Sequence, residues 1–92
     1  MARLIVRIKI LPEDIETNLD ELKNNIESSL PDGMAIKASN IEPIAFGLNA
    51  LIIDFAMDDK EGQMEQLEDK LKTIKGVSEI QIVNLSRESA TL

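Results

Sequence analysis

The chain contains neither cysteine nor histidine, and the two absences exclude several kinds of site. Without cysteine there is no disulfide, no thiolate nucleophile and no cysteine-ligated zinc or iron–sulfur centre. Without histidine the commonest general base and the commonest metal ligand are missing. No serine therefore has a histidine to activate it. We expect no catalytic residue, no metal and no cofactor, and a protein that is not an enzyme.

Aromatic residues are nearly absent, at 2% of the chain, and the four glycines stand alone. Aliphatic side chains must therefore build the core, and no glycine-rich phosphate-binding motif is present. The two aromatic residues are Phe46 and Phe55. Phe55 falls at a core-facing position of a predicted strand, which disfavours RNA binding by base stacking on an open sheet face.

Positive charge is also scarce, since 10 basic residues face 17 acidic ones and the net charge is −7. An acidic surface repels phosphate backbones, so we expect no direct nucleic-acid binding and favour a basic protein as partner. No apolar run approaches the ~18 residues that cross a membrane, and charges interrupt the N-terminus. We therefore expect a cytoplasmic protein with no membrane contact, and 92 residues predict a single domain, 1–92.

Two kinds of periodicity divide the chain into six elements. Alternation of apolar and polar residues predicts strands at residues 3–11, 34–41 and 77–85, and the most apolar run of the chain predicts a further strand at residues 48–57. Apolar residues at helical spacing predict helices from Leu19 to Leu30 and from Met64 to Ile74. Asn18 is the predicted N-cap of the first helix, with Glu21 three residues later, and Gly76 is the predicted C-cap residue of the second.

The order strand, helix, strand, strand, helix, strand leaves few topologies once crossovers are right-handed. It predicts an α+β, ferredoxin-like two-layer sandwich, βαββαβ, with a four-stranded antiparallel sheet and two helices on one face. Strands one and three are the most apolar and should be central. The helix-covered face is predicted to carry Leu4, Val6, Ile8, Ile10, Leu51, Ile53, Phe55, Ile80 and Ile82. The open face is predicted to carry Ile5, Arg7, Lys9, Ile52, Glu79, Gln81 and Val83.

Residues 42–48, Glu-Pro-Ile-Ala-Phe-Gly-Leu, lie between the second and third strands and are predicted to form a loop up to Gly47. Pro43 fixes its own φ, and Gly47 can adopt backbone angles closed to other residues. The backbone therefore sets the direction of Phe46. Residue chemistry leaves two interpretations open: Phe46 plugs one end of the core, or it is presented to a partner.

An acidic turn supplies an alternative function. Asp58, Asp59 and Glu61 stand close enough in sequence to bind a magnesium or calcium ion. Their position before the second helix is also explained by the favourable interaction of negative charge with a helix N-terminus. The alternative to a protein-binding domain is thus a small-molecule- or ion-sensing ferredoxin-like regulatory module.

Three segments resemble the elongation factor 1-beta family. The first is residues 42–48, whose Pro-Ile-Ala-Phe-Gly core is the specific part. The others are residues 6–12, Val-Arg-Ile-Lys-Ile-Leu-Pro, and residues 74–80, Ile-Lys-Gly-Val-Ser-Glu-Ile, which are more generic. The resemblance covers essentially the whole chain. In its length the chain is also similar to the archaeal form of the family, which consists of the exchange domain alone.

The resemblance implies a guanine-nucleotide exchange factor for elongation factor 1-alpha, the GTPase that carries aminoacyl-tRNA to the ribosome. It implies binding to the GDP-bound and nucleotide-free forms of that GTPase, with Phe46 entering a pocket of the partner. By the same resemblance Pro43, Ile44, Ala45 and Gly47 belong to the partner-binding loop. This favours the second interpretation of Phe46.

The C-terminus departs from the family pattern. Eukaryotic members carry a lysine just before a C-terminal leucine, and it reaches the magnesium site. Here Leu92 is preceded by Thr91, and the only cation of the tail is Arg87. Either Arg87 takes the role of the lysine as a partner-binding residue, or Phe46 and its loop suffice.

Overall fold

The computed structural model describes residues 3–58 and 61–88. Six elements follow in the order β1 (Arg3–Pro12), α1 (Leu19–Ser29), β2 (Ala35–Ala45), β3 (Leu48–Asp58), α2 (Gln63–Thr73) and β4 (Val77–Glu88). This is the predicted βαββαβ order, and the ferredoxin-like α+β fold is confirmed.

The sheet has four strands in the order β2-β3-β1-β4, and all three pairings are antiparallel. The central positions of β1 and β3 are therefore confirmed. Their side chains alternate as predicted, because Val6 lies opposite Phe55 and Ile8 opposite Ile53, and all four are completely buried. A central strand is paired with another strand along both of its edges and is therefore shielded from water, which explains why the sequences of β1 and β3 are the most apolar.

The core lies between this face of the sheet and the helices. Each helix contributes two fully or almost fully buried side chains: Leu22 and Ile26 from α1, and Leu67 and Leu71 from α2. Burying such a side chain stabilises the fold by about 1.5–3 kcal/mol. The sheet contributes Leu4, Val6, Ile8, Ile10, Leu51, Ile53, Phe55 and Met57. Neither helix, nor any other helix within the described ranges, is long and apolar enough to span a bilayer.

The start of α1 agrees with its sequence signal. The side chain of Asn18 accepts a hydrogen bond from the backbone N–H of Glu21 at 3.0 Å, so the predicted N-cap is confirmed. The prediction for the end of α2 was wrong. The helix ends at Thr73, and the capping N–H of Ile74 donates to the carbonyl of Leu71. Gly76, at φ +100°, instead accepts a hydrogen bond from the backbone N–H of Glu13 at 3.0 Å.

Edge strand β4 differs from its prediction in length and in phase. It continues to Glu88, and a register shift opposite Arg7 and Ile8 leaves Val83 as an extra residue. Such a bulge reverses the alternation that follows. Leu85 therefore lies opposite buried Val6, on the helix-covered face, whereas strict alternation from Val83 places it on the open face. Ile82 lies opposite Ile8 as expected, but it is 46% exposed rather than part of the core.

Candidate functional site

The candidate site is the tip of the β2–β3 hairpin. Ala45 pairs with Leu48, so the connection consists of two residues, Phe46 and Gly47. Both have positive φ, 53° for Phe46 and 80° for Gly47. This is the φ pattern of a type I′ turn, whose twist matches that of the flanking strands. Glycine adopts such angles freely, whereas phenylalanine does so at a cost of about 1–2 kcal/mol.

The predicted loop over residues 42–47 was wrong in its extent. Strand β2 continues through Pro43 to Ala45, so only Phe46 and Gly47 remain outside the strands. Proline is tolerated because β2 is an edge strand. Only one of its edges pairs with another strand, so an N–H can be missing on the unpaired edge without loss of a hydrogen bond to β3. The register shifts between Pro43 and Ala45, which makes Ile44 a bulged residue. The site is thus a stiff hairpin rather than a loop.

The two phenylalanines occupy opposite environments. Phe55 is completely buried between the sheet and the helices, whereas Phe46 is 100% exposed. The interpretation of Phe46 as a plug of the core is therefore wrong. An exposed aromatic ring in a conformation that disfavours its residue type is a feature that the fold does not need.

Five of the six residues predicted to bind a partner lie together at this tip. Ile44 is 41% exposed, and Pro43, Ala45 and Gly47 are exposed beside Phe46. Arg87 does not join them. It lies opposite Leu4 on β1, which in turn lies opposite Met57 on β3, nine residues beyond Leu48. At about 3.3 Å per residue, Arg87 and the hairpin tip are about 30 Å apart.

The acidic turn is only partly described. Asp58 is the last residue of β3 and is half-buried opposite Arg3, and Glu61 is exposed. Asp59 lies outside the described residues. The N-cap of α2 is Gly62, without a side-chain hydrogen bond, so within the described part of the turn no acid caps this helix. In residues 3–58 and 61–88 no cluster of three or more acidic groups is arranged to hold a metal ion.

The open face of the sheet carries an ion pair between the two central strands. Arg7 donates two hydrogen bonds to the carboxylate of Asp54, from Nε at 2.8 Å and from Nη2 at 3.1 Å. These bonds lower the pKa of Asp54, although partial burial opposes the effect and the charge of Lys37 adds to it. The same bonds raise the pKa of Arg7. Arg7 thus faces an acid across the sheet, whereas Lys9 lies opposite Ile52.

Sequence reasoning missed one feature beside the tip. Ile41 was predicted to end an edge strand, but it lies in the middle of β2 and is 52% exposed. A register shift that leaves Lys37 as an extra residue in β2 places Ile41 opposite buried Leu51, on the helix-covered face. The signal was present in the sequence as a third apolar residue, with Pro43 and Ile44, just before Phe46. Nothing in the sequence says where the helices stop covering the sheet.

The fold and the tip together define an α+β sandwich that displays an aromatic side chain on a stiff hairpin. Residues 5–87 match the EF-1 guanine nucleotide exchange domain, and the chain belongs to that family. A protein called elongation factor 1-beta in Staphylothermus marinus is 44% identical over 95% of this chain and 98% of its own length. One of the same name in Desulfurococcus amylolyticus is 42% identical over 97% and 100%, respectively.

A solved structure supports the fold alone. The C-terminal domain of the MgtC protein from Mycobacterium tuberculosis superposes with a TM-score of 0.54, over 98% of this chain and 90% of that chain. The two sequences are only 16% identical. The same architecture therefore occurs at low sequence identity, and function must be argued from the site.

Proposed function

We propose that this chain promotes the exchange of GDP for GTP on elongation factor 1-alpha, and that Phe46 is the side chain through which it does so. Family membership supports the activity. The observation that carries the role of Phe46 is its complete exposure on a stiff two-residue turn. A ring held in this way enters a pocket of a partner without first having to be ordered, so little binding free energy is lost to ordering.

The mechanism is differential binding. The chain binds the nucleotide-free GTPase more tightly than the GDP-bound form, and this difference in affinity lowers the barrier to GDP release. GTP then replaces GDP and the chain dissociates. No covalent bond changes, so the activity needs neither a nucleophile nor a general base, and the protein acts as an exchange factor rather than as an enzyme.

The charge of the chain supports the choice of partner. A net charge of −7 opposes binding to nucleic acid and favours a basic protein. A GTPase that carries aminoacyl-tRNA has to present basic surface to its RNA ligand. We propose that residues 1–92 act as one exchange domain in the cytoplasm, without contact to nucleic acid or membrane.

We retain Arg87 as a second, separate contact. It is exposed and lies about 30 Å from the tip, so a partner that contacts both must extend along the sheet. If Arg87 acts at the magnesium and phosphate site, Arg87→Ala lowers the maximal exchange rate about tenfold or more. If exchange by Arg87→Ala equals that of the unchanged chain, Phe46 and the hairpin suffice.

Release of a fluorescent GDP analogue from purified elongation factor 1-alpha tests the proposed activity. Catalytic amounts of the chain, with GTP in excess, are expected to accelerate release above the spontaneous rate. Buffer alone and heat-unfolded chain are the controls. If the release rate stays at the spontaneous value across micromolar concentrations of the chain, the proposed function is wrong.

A further inference from the structure

An apolar surface continues from the hairpin tip along the outer edge of the sheet. It consists of Ile41, Pro43 and Ile44, which we call the β2 strip. Ile41 is 52% exposed, Ile44 is 41% exposed and Pro43 is exposed. From Phe46 to Ile41 the strip runs along about 13–17 Å of strand.

Packing against the core does not explain why an isoleucine is present at position 41. Ile36, from the same strand, is one of the half-buried residues that pack against the core, and within the described residues Ile41 is not part of that set. It lies opposite Leu51, which is only 2% exposed, so Ile41 stands at the place where the helices cease to cover the sheet. About half of a large aliphatic side chain thus remains in water.

The structure of the β2 strip favours binding through side chains over the addition of a strand from another protein. An exposed edge strand can pair with a strand of another protein through its free backbone groups. In β2 this is obstructed near the tip, because Pro43 has no N–H to donate and Ile44 is a bulged residue. Exposed apolar side chains along a backbone that pairs poorly favour docking into an apolar groove.

The area that a specific interface buries indicates which protein covers the β2 strip. A buried phenylalanine ring covers about 150–250 Å², whereas a specific complex buries about 800 Å² on each partner. Any protein that receives Phe46 must therefore cover its neighbours as well. The β2 strip is continuous with the tip and offers apolar surface beside it. We propose that elongation factor 1-alpha binds the β2 strip in an apolar groove next to the pocket for Phe46, with Ile41 as a residue that sets affinity.

This inference rests on the proposed function, and a matched pair of variants tests it. Ile41 and Ile82 are both isoleucines on edge strands, on the helix-covered face, opposite a buried residue of a central strand. Their exposed fractions are 52% and 46%. Threonine keeps the β-branched shape that strands favour, so Ile41→Thr and Ile82→Thr should both fold.

In GDP-release assays at varied exchange-factor concentration, Ile41→Thr should raise the half-saturating concentration about three- to tenfold and leave the maximal rate unchanged. Ile82→Thr should leave both values unchanged. Equal effects of the two substitutions, or none for Ile41→Thr while the unchanged chain is active, would overturn the inference but not the proposed function. If the unchanged chain itself fails to accelerate release, both are wrong.

A footprint provides a measurement that does not depend on rates of exchange. The chain has no cysteine, so Ile41→Cys and Ile82→Cys each introduce a single thiol. Alkylation of each variant is followed by mass spectrometry, free and in complex with nucleotide-free elongation factor 1-alpha. We expect the complex to slow alkylation at position 41 about tenfold or more and to leave position 82 unchanged. Equal alkylation of Ile41→Cys in the free and bound states would overturn the inference.

Discussion

At the scale of single residues, the molecule treats its two phenylalanines in opposite ways. Phe55 is completely buried, and its removal would leave a cavity. Phe46 is fully exposed at φ 53°, so the fold loses stability by keeping it there. A residue that weakens its own turn and contacts no core does not serve stability, which agrees with the proposed contact of Phe46 with a partner.

The substitution Phe46→Asn separates the effect of Phe46 on the stability of the turn from its proposed contact with a partner. Asparagine tolerates positive φ, and Asn-Gly is among the most favoured pairs for a type I′ turn. We expect the free energy of unfolding, measured in urea, to rise by about 1 kcal/mol. Nucleotide exchange should fall at the same time, because the ring is lost.

Gly47→Ala is the matched control within the same turn. Apart from its two chain neighbours, a Cβ at position 47 meets no heavy atom within 4 Å, so only the positive φ of 80° opposes it. We expect Gly47→Ala to lower the free energy of unfolding by about 1 kcal/mol. If Phe46→Asn destabilises the chain as much as Gly47→Ala does, the backbone description of the turn is wrong.

At the scale of elements, the Arg7–Asp54 ion pair joins the two central strands on the open face. The pKa of Asp54 is lowered by hydrogen bonds from Arg7, so the carboxylate stabilises the folded state. A lowered pKa means that this stabilisation is complete above the ordinary pKa of about 3.9 and is lost as the pH falls through the folded-state value. Arg7, whose pKa is raised, stays charged throughout.

Asp54→Asn should therefore lower the melting temperature slightly at pH 7, and the difference from the unchanged chain should disappear as the pH falls well below 4. Melting curves followed by circular dichroism between about pH 2 and pH 7 measure this. Lys9→Gln, on the same face of β1 but opposite Ile52, is the control and should show no such convergence. A difference that persists at the lowest pH would mean that an amide at position 54 is tolerated poorly for reasons other than charge.

The elements also show what the sequence could and could not predict. Alternation in β1 and β3 identified the large buried side chains of the core, because the two central strands pair with each other without a register shift. It did not identify Ala50, which is also completely buried. It failed in β4, where the extra residue Val83 moved Leu85 to the other face. The prediction also failed at residues 42–47, which were assigned to a loop although the edge strand β2 continues through Pro43 to Ala45. Bulges and helix coverage are set by tertiary packing and leave little trace in residue periodicity.

At the scale of the whole molecule, the core and the proposed binding site are located in different places. The core lies between the sheet and the helices, whereas the tip projects from one end of a molecule that measures 43 × 24 × 17 Å. The family motif identified the tip residues from sequence. Their separation of about 30 Å from Arg87 followed only from the register of the three paired strands β3, β1 and β4.

Because the core and the tip are separate, we expect a substitution of buried Phe55 to lower stability without changing exchange by the folded molecule. Phe55→Ala should cost about 3–5 kcal/mol, a large part of the roughly 5–15 kcal/mol that stabilises a domain of this kind. Exchange should be lost only to the extent that the chain unfolds. At about 10 °C, exchange per folded molecule, with the folded fraction taken from circular dichroism, should match that of the unchanged chain. A loss in fully folded Phe55→Ala would place part of the function in the core.

The most direct test of the central claim is GDP release from elongation factor 1-alpha with Phe46→Ala, measured beside its melting temperature. We expect exchange to fall roughly 30- to 1,000-fold, as for a central residue of an interface, while the melting temperature stays within about 2 °C or rises. Exchange equal to that of the unchanged chain, with or without a lower melting temperature, would contradict the claim that the displayed ring drives nucleotide release.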